Sequence, residues 1–390
     1  MDSIGINHLR FIHASDLHLG CQQFRNEMRS YDYLNTLKEI LILSKKHAVN
    51  FILLSGDIFT SIDILPGYFQ QIIETLDNFK RETEIPIIAI EGNHDIRRYS
   101  HGSKFERGQS WLKILSYLDL IILLDFQSND SESIIFQSYD QISKKGGKIQ
   151  IKFAEIYGTR FLREKIEERI PQIEKTIPNN DKFHILMQHF GIEGQMEDVP
   201  GINLKSIQCL KKKVHYLALG HYHLQYSIDG WIFNPGAPEP ASLVEFSYKR
   251  GIFLVDVIKK EDYIIHVKSI KLRNRSLLWR SIKIPYRFDN YNDLSNFIIE
   301  KLENNLNIHN FNKDPANLST PILCLRLNGK SPFKNQNFNN KTLTKLLRGN
   351  LPVLDLRVYS NFDRNFKTLD EYQTILSSTI KVNTKSSQKN

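Results

Sequence analysis

The sequence predicts a layered α/β fold followed by a smaller α+β domain. Three observations indicate this architecture. Strands and helices alternate through the first hundred residues, several apolar strands end in side chains that can bind metals, and the composition turns basic after about residue 273. With 390 residues, of which 41% are hydrophobic, the chain has room for two domains with real cores.

The N-terminal part alternates between the two kinds of element. An apolar strand at 9–15 precedes a segment at 31–46 in which apolar residues recur with helical spacing. A strand at 51–55, a helix that begins at Pro66 and a strand at 85–90 follow in turn. This alternation is typical of a layered α/β domain.

The remaining elements are predicted from the same two periodicities. In the middle of the chain we predict helices at 111–118 and 161–177, strands at 120–124, 148–158, 183–187 and 214–219, and antiparallel strands at 226–234, 251–258 and 264–272. In the C-terminal part we predict strands at 282–284, 322–327 and 353–358 and helices at 293–306 and 342–347. We therefore expect a main domain at 1–270, a small basic α+β domain at 271–365, and an amphipathic helix with a disordered tail at 366–390.

Charge divides the chain unevenly. Residues 1–250 carry 29 Lys and Arg against 31 Asp and Glu, whereas residues 251–390 carry 23 against 12. The net charge of +9 therefore comes from the C-terminal part. A near-neutral body with a basic appendage is typical of a protein with a polyanionic partner, and a solvated surface is the alternative.

Membrane and secreted classes are disfavoured. No apolar run reaches the roughly 18–20 residues of a membrane span, and the N-terminus lacks a signal peptide. The three cysteines, Cys21, Cys209 and Cys324, are odd in number and far apart, which argues against a disulfide framework. We expect a cytoplasmic protein with no membrane partner.

Side chains that can bind metals follow five of the apolar runs. They are Asp16, His18, Asp57, Asn93, His94, His189, His221 and His223. A single His at a strand end is more often a satisfied polar residue than a ligand, but five such clusters are poorly explained by chance. Ligands bind at the carboxyl ends of strands in α/β sheets, so the clusters predict one shared site.

The chemistry of these side chains favours catalysis. A mixed nitrogen and oxygen set without thiolate suits an open site for Mn or Fe rather than a closed structural zinc site. The ligands are too many for one ion, and two cations roughly 3.5–4 Å apart form a clamp that cleaves phosphoesters. Such a pair needs a bridging anion, which a carboxylate such as Asp57 can supply.

The motifs resemble those of a known family. Asp-x-His, Gly-Asp, Gly-Asn-His-Asp, a lone His and Gly-His-x-His, in that order, are similar to the calcineurin-like metallophosphoesterases. The flanking residues at 15–20, 56–59, 217–223 and 234–240 resemble the DNA double-strand-break repair nucleases of the SbcD-like type. The resemblance covers about residues 8–258.

The resemblance implies a fold and a division of the ligands. The fold would be a layered β-sandwich flanked by helices, with a smaller α+β cap domain. One metal would be held by Asp16, His18, Asp57 and His223, and the other by Asp57, Asn93, His189 and His221. His94 would be the catalytic residue, free of metal and placed to stabilise the transition state or to protonate the leaving oxygen, with Asp95 orienting it. Thr60 stands where some relatives have a second active-site His.

The resemblance also implies an activity and partners. The family contains Mn²⁺-dependent enzymes that degrade duplex DNA from 3′ to 5′ and cut single strands. They work with a coiled-coil ABC-type ATPase (SbcC-like), usually as homodimers, and the basic cap would contact DNA. Two alternatives are a phosphodiesterase for small nucleotides and a DNA-end-binding scaffold.

Overall fold

The computed structural model describes residues 7–96, 110–128, 134–162, 166–197, 199–285, 288–305, 314–333 and 338–362. The chain divides into two compact units. Unit 1 comprises residues up to Gln23, Arg29–Ala241 and Ser247–Leu272, and unit 2 comprises Phe24–Met28, Ser242–Phe246 and the residues from Arg273 on. The expected division at 270 and 365 stays a prediction about domain roles, and the expected helix and tail at 366–390 lie outside the described residues.

Unit 1 contains two six-stranded sheets. The first has the order β14-β13-β1-β2-β3-β4, and its strands are β1 (His8–Ala14), β2 (Phe51–Ser55), β3 (Ile87–Ile90), β4 (Ile122–Leu123), β13 (Ile252–Lys259) and β14 (Tyr263–Ile270). The second has the order β11-β12-β10-β9-β8-β7, and its strands are β7 (Lys148–Ile151), β8 (Ala154–Gly158), β9 (Phe183–His189), β10 (Tyr216–Gly220), β11 (Tyr226–Ile228) and β12 (Ile232–Asn234). A separate hairpin joins β5 (Gln127–Ser128) and β6 (Ile134–Ile135).

The five strands that carry the candidate ligands run in matching directions within their sheets. In the first sheet β1, β2 and β3 are parallel neighbours, and in the second sheet β9 and β10 are parallel neighbours. Their carboxyl ends therefore lie along one edge of each sheet. Strand β13 pairs with β1 in the antiparallel sense and extends the first sheet on its other side.

The two sheets pack face to face, with helices on the outer faces. Side chains such as Phe11 and Phe51 from the first sheet share a core with Ile185 and Tyr216 from the second. Helices α1 (Met28–Lys46), α2 (Pro66–Glu82) and α3 (Trp111–Tyr117) bury their apolar faces on the first sheet, and α4 (Ile166–Thr176) and α5 (Leu204–Ile207) on the second. The predicted layered β-sandwich flanked by helices is confirmed.

Unit 2 is built on a three-stranded parallel sheet. Its strands β15 (Leu277–Ile284), β16 (Ile322–Gly329) and β17 (Asp355–Phe362) alternate with helices α6 (Tyr291–Asn305) and α7 (Asn340–Asn350). Apolar residues of both helices share one core with the strands. The prediction of a small domain with strands and helices is confirmed, although the sequence pattern did not specify parallel strands.

Three predicted elements differ from the structure. The segment 226–234 is a hairpin of β11 and β12 rather than one strand. The segment 148–158 is a hairpin rather than one strand, because Lys152 has a left-handed backbone (φ 52°) and turns β7 back along β8. The helix predicted at 161–177 is α4, which begins only at Ile166 and leaves Phe161 in the preceding loop. Helical periodicity alone did not indicate that Phe161 lies outside the helix.

Two further observations concern the class of protein. Within the described ranges, no helix is both long enough and apolar enough to cross a bilayer. Cys21, Cys209 and Cys324 form no disulfide.

Candidate metal centre

The predicted ligands come together where five strands of unit 1 end. Asp16 and His18 follow β1, Asp57 follows β2, and Asn93 follows β3. His189 is the last residue of β9, whereas His221 and His223 follow β10. All seven residues that the sequence singled out as ligands therefore belong to one site.

Four of these residues have a left-handed backbone. The φ angles are 53° at Asp16, 46° at His18, 50° at Asp57 and 90° at His221. Such a conformation costs on the order of 1–3 kcal/mol for a residue other than glycine and is concentrated at functional sites. The chain thus turns sharply after the strand ends and aims these side chains at a common point.

The first cluster consists of Asp16, His18 and His223, each with a ligand atom within 4.8 Å of the others. The Nε2 atoms of His18 and His223 are 3.0 Å apart. The Asp16 carboxylate also accepts hydrogen bonds from the backbone N–H of His221, at 3.1 and 3.0 Å. This contact joins the end of β1 to the end of β10 across the two sheets.

The second cluster consists of Asp57, His189 and His221, again with ligand atoms within 4.8 Å. His189 Nε2 lies 3.2 Å from Asp57 Oδ2 and 3.2 Å from Asn93 Oδ1. Asn93 Oδ1 also lies 3.0 Å from His221 Nδ1. Asn93 therefore stands between the two imidazoles.

Backbone contacts decide which nitrogen of His189 faces the site. Its Nδ1 lies 2.8 Å from the carbonyl oxygen of Ser55, and a carbonyl can only accept, so Nδ1 carries the proton. In the neutral ring the Nε2 lone pair then faces the acceptor oxygens of Asp57 and Asn93. A proton or a cation is needed at that point.

The pKa shifts of the buried groups also indicate that this site favours a proton or a cation. Burial disfavours the charged form of His189. The Asp57 carboxylate, by its charge and by its hydrogen bond to the ring, outweighs this effect of burial and raises the pKa of His189 to about 9. Burial raises the pKa of Asp16, and the neighbouring Asp57 carboxylate adds to the rise against the lowering effect of His189 and His223. Two buried carboxylates close together favour an added positive charge.

Close packing of the strand ends requires glycine. A Cβ atom on Gly92 would lie 2.2 Å from Asp57 Oδ1. A Cβ atom on Gly56 would lie 2.4 Å from His189 Nδ1, and Gly56 has a φ of 88°. These two glycines give the Asp57 carboxylate and the His189 ring the space that they occupy.

The donor set fits two divalent cations. Lone pairs of His18 and His223 converge in one cluster, and those of Asp57, Asn93, His189 and His221 converge in the other. In each cluster a bound cation would take the place of the proton that the facing ring nitrogens and oxygens otherwise share. The division of ligands between two metals stays a prediction.

His94 lies beside the clusters and is held differently. Its backbone N–H donates to Asp57 Oδ1 at 2.7 Å, and its ring Nδ1 lies 2.8 Å from the carbonyl oxygen of Thr60. The ring is 47% exposed, and its Nε2 is 4.0 Å from Asp57 Oδ2. His94 is thus fixed in orientation while its outer nitrogen stays open to solvent.

The expectation that Asp95 orients the His94 ring is wrong. The Asp95 carboxylate instead accepts backbone hydrogen bonds from Ile58, Phe59 and Gly92, at 3.2, 2.9 and 2.9 Å. It therefore ties the loop after β2 to the loop after β3. The ring of His94 is oriented by Thr60, through its backbone.

A pocket of about 510 Å³ opens beside the second cluster. Asn93 and His221 border it, and its apolar lining includes Phe161, Phe190 and Ile202. The ring of Phe161 lies 6.0 Å from that of His189 and 6.0 Å from that of His221. Sequence reasoning missed Phe161, although it follows the end of another apolar strand, β8.

Comparisons with known proteins agree with this geometry. A profile of the calcineurin-like phosphoesterase family matches residues 9–225. The DNA double-strand break repair protein Mre11 of Archaeoglobus fulgidus is 29% identical over 266 residues, which are 65% of this chain and 56% of that protein. Mre11 of Sulfurisphaera tokodaii is 28% identical over 225 residues, 57% of this chain and 51% of that protein.

A bacterial protein has a similar sequence identity to this chain. The SbcD subunit of the nuclease SbcCD from Staphylococcus epidermidis is 26% identical over 267 residues, 64% of this chain and 66% of that protein. The chain spans little more than half the length of the two Mre11 proteins.

Proposed function

The chain belongs to the calcineurin-like phosphoesterase family, and on that premise we propose that it is a two-metal nuclease that cleaves DNA phosphodiester bonds in double-strand-break repair. The observation that carries the proposal is the convergence of seven candidate ligand side chains beside His94, whose ring is held by the Thr60 carbonyl. We propose DNA as the substrate because the similar proteins are named as a DNA double-strand break repair protein and a nuclease subunit.

The residues have separate roles in this proposal. One metal is held by Asp16, His18, Asp57 and His223, and the other by Asp57, Asn93, His189 and His221. When bound, two such cations activate water and stabilise the negative charge that develops on the phosphoryl oxygens. A nitrogen and oxygen set without thiolate suits Mn or Fe, and the resemblance to the SbcD-like nucleases favours Mn²⁺ for both ions.

His94 supplies the proton chemistry. Its Nδ1 donates to Thr60, so Nε2 is the nitrogen that exchanges protons with substrate. A protonated Nε2 donates to a phosphoryl or leaving oxygen, which either stabilises the developing charge or protonates the leaving group. The 47% exposure of the ring suits contact with a large substrate.

The finer parts of the proposal concern products and partners. We propose 3′-to-5′ exonuclease activity on duplex DNA, endonuclease activity on single strands, and work with an SbcC-like coiled-coil ATPase in the cytoplasm. A homodimer is supported by an exposed apolar surface at the end of α3. Ile114, Tyr117 and Leu118 are 42%, 78% and 43% exposed there.

A second candidate function is a phosphodiesterase for small nucleotides. The pocket beside Asn93 and His221 favours it, because about 510 Å³ is within the usual range for a small-molecule site. The same aromatic lining accommodates one base of a nucleic acid. The pocket alone therefore does not distinguish the two substrates.

One assay separates the candidates. The purified full chain with Mn²⁺ is given labelled duplex, single-stranded and hairpin DNA and, separately, cyclic and linear dinucleotides. We expect DNA to be degraded at a higher kcat/KM than any small nucleotide, and Asp57→Asn to abolish both activities. Turnover of small nucleotides with no cleavage of any DNA would contradict the nuclease proposal.

A further inference from the structure

The segment 234–240 packs against the loop that carries His223. Asn234, the last residue of β12, is completely buried. Strand β12 runs parallel to β10, and the loop after β10 supplies His221 and His223 to the candidate metal centre. The carboxyl end of β12 therefore lies at the same edge of the second sheet as these two ligands.

The side-chain amide of Asn234 holds the two residues that flank His223. Its Nδ2 atom donates to the carbonyl oxygen of Tyr222 at 2.7 Å and to that of Leu224 at 2.8 Å. Because carbonyls only accept, the atom that faces them is the nitrogen, and each of its two protons serves one bond. Its Oδ1 atom is buried and has no hydrogen-bond partner in the described part of the chain. The two donors are therefore what this amide contributes.

The carbonyl of His223 is held by the same segment. The backbone N–H of Ala237 donates to it at 3.1 Å. Gly236 permits this approach, because its φ is 75° and a Cβ atom there would lie 2.5 Å from the His223 carbonyl oxygen. Together with the two bonds from Asn234, three successive carbonyls of the His223 loop accept hydrogen bonds from residues 234–237.

The far end of the segment is anchored on helix α1. The guanidinium of Arg29, which is completely buried, donates to Glu239 Oε1 at 2.7 Å. The hydroxyl of Tyr33 donates to the carbonyl oxygen of Pro240 at 2.9 Å. Arg29 also pairs with Asp32 of the same helix. The segment is thus tied to β12 at one end and to α1 at the other, which restricts the movement of the loop that it holds.

The two clusters hold their histidines in different ways. The ring of His189 is fixed directly, since its Nδ1 donates to the Ser55 carbonyl. Around His223 it is the backbone that is fixed, by three bonds, and the Nε2 atom of its ring lies 3.0 Å from that of His18. Loss of a partner that orients a metal ligand typically lowers metal affinity or activity by about 10–100-fold.

We propose that Asn234 is a positioning residue for the metal ion of the first cluster. By holding the carbonyls on both sides of His223, its amide aims the imidazole of His223 at that ion. The second cluster depends less on this support, because His189 is fixed by Ser55 instead. The inference rests on the proposed two-metal function.

The test measures the binding of Mn²⁺ to the full metal-free chain by isothermal titration calorimetry, without substrate. The wild-type chain should bind two ions. Asn234→Ala removes both donors and should weaken the binding of one ion by about 10–100-fold, while the affinity for the other changes little. Asn234→Ser, which keeps one donor, should weaken the same ion less. The matched control is Asn50→Ala, because Asn50 also bonds to the backbone, at the Arg10 N–H, but stands at the amino end of β2, away from the metal centre.

A double-mutant cycle identifies the ligand through which Asn234 acts. His223→Ala should lose the ion of the first cluster and keep that of the second. Adding Asn234→Ala to this variant should change metal binding no further, because the imidazole that the amide aims is already absent. A residue that only stabilises the fold would instead weaken metal binding equally in both backgrounds.

The outcomes are distinct, and thermal unfolding in EDTA checks that each variant is folded. Unchanged affinities in Asn234→Ala, equal weakening of both ions, an equal loss in Asn50→Ala, or additive effects in the cycle overturn the positioning proposal. Failure of both Asn234 variants to fold also overturns it, because the residue would then be structural. A wild-type chain that shows the expected metal binding throughout but cleaves no DNA refutes the nuclease proposal alone, whereas a wild-type chain that binds no ion refutes both.

Discussion

The His94 ring meets the backbone of Thr60, with Nδ1 2.8 Å from the carbonyl oxygen. This contact fixes the tautomer of the ring, because only the nitrogen can donate. The contact does not depend on the side chain of residue 60, because the backbone carbonyl makes it. The contribution of Thr60 is its carbonyl, which any side chain would leave in place.

The first prediction follows from this contact. His94→Asn should keep its metal content and its affinity for DNA, while kcat falls by roughly 10²–10⁴-fold, as is typical when a general acid is lost. Thr60→Val is the matched control and should keep near wild-type kcat, since the carbonyl remains. Loss of metal in His94→Asn would make His94 a ligand and contradict its proposed role.

The second prediction concerns the pocket. If Phe161 contacts a base of the substrate, Phe161→Ala should raise KM for DNA several-fold, with the metal content unchanged. Phe161→Tyr keeps the ring and should stay near wild type. Steady-state kinetics on a short single strand measures this. A fall in kcat with unchanged KM for Phe161→Ala would indicate instead that the ring positions His189 or His221.

The third prediction concerns stability in acid. His13 lies between the two sheets, and its ring nitrogens contact Tyr216 Oη at 3.0 Å and the Leu219 carbonyl at 3.1 Å. Burial lowers its pKa to about 3, against the opposing effect of the Leu219 carbonyl. The unfolded chain has a pKa of about 6.5 for histidine, so this group's contribution is fully present above pH 6.5 and is lost as the pH falls towards 3.

The measurement is urea unfolding in EDTA between pH 7.5 and pH 4.5. Below about pH 6 the free energy of unfolding should fall by up to about 1.4 kcal/mol per pH unit on account of this residue. His13→Gln should be less stable at neutral pH and should show a shallower dependence. His266→Gln, at an exposed position, should follow the wild type. Parallel curves for wild type and His13→Gln would contradict the assignment.

The fourth prediction concerns the dimer. If the exposed apolar surface of α3 is the contact between two copies, Ile114→Lys with Tyr117→Lys should convert a dimer to a monomer in light scattering. Ile42→Lys removes an apolar side chain that is 54% exposed elsewhere, on α1, and should leave the dimer intact. A double variant that stays dimeric would place the contact on another surface.

The sequence predicted those parts of the site that depend on local pattern. Each of Asp16, Asp57 and His189 stands at or just after the end of an apolar run, and parallel strands bring such ends together. The roles of Thr60 and Phe161 were not predictable in this way. Thr60 acts through a carbonyl that carries no residue signature, and Phe161 lies in a segment whose spacing also suits a helix.

The sequence also did not predict how the chain divides into two units. Phe24–Met28 belongs to unit 2 because Asn26 Nδ2 donates to the Leu354 carbonyl and the Arg357 guanidinium lies 4.3 Å above the Phe24 ring. These contacts join residues more than 300 positions apart. Periodicity in a sequence reports only on residues that are close along the chain. The sequence therefore predicted the C-terminal domain as one continuous segment, without the contribution of Phe24–Met28.

The most direct test of the two-metal account is the metal content of Asp57→Ala. The wild-type chain, loaded with Mn²⁺ and passed through a desalting column, should carry two equivalents by elemental analysis. Asp57→Ala should lose both, because the same carboxylate is proposed to hold the two ions, and Asp63→Ala, at an exposed position, should keep two. An Asp57→Ala chain that retains a full equivalent and wild-type activity would contradict the bridging role and with it the proposed two-metal site.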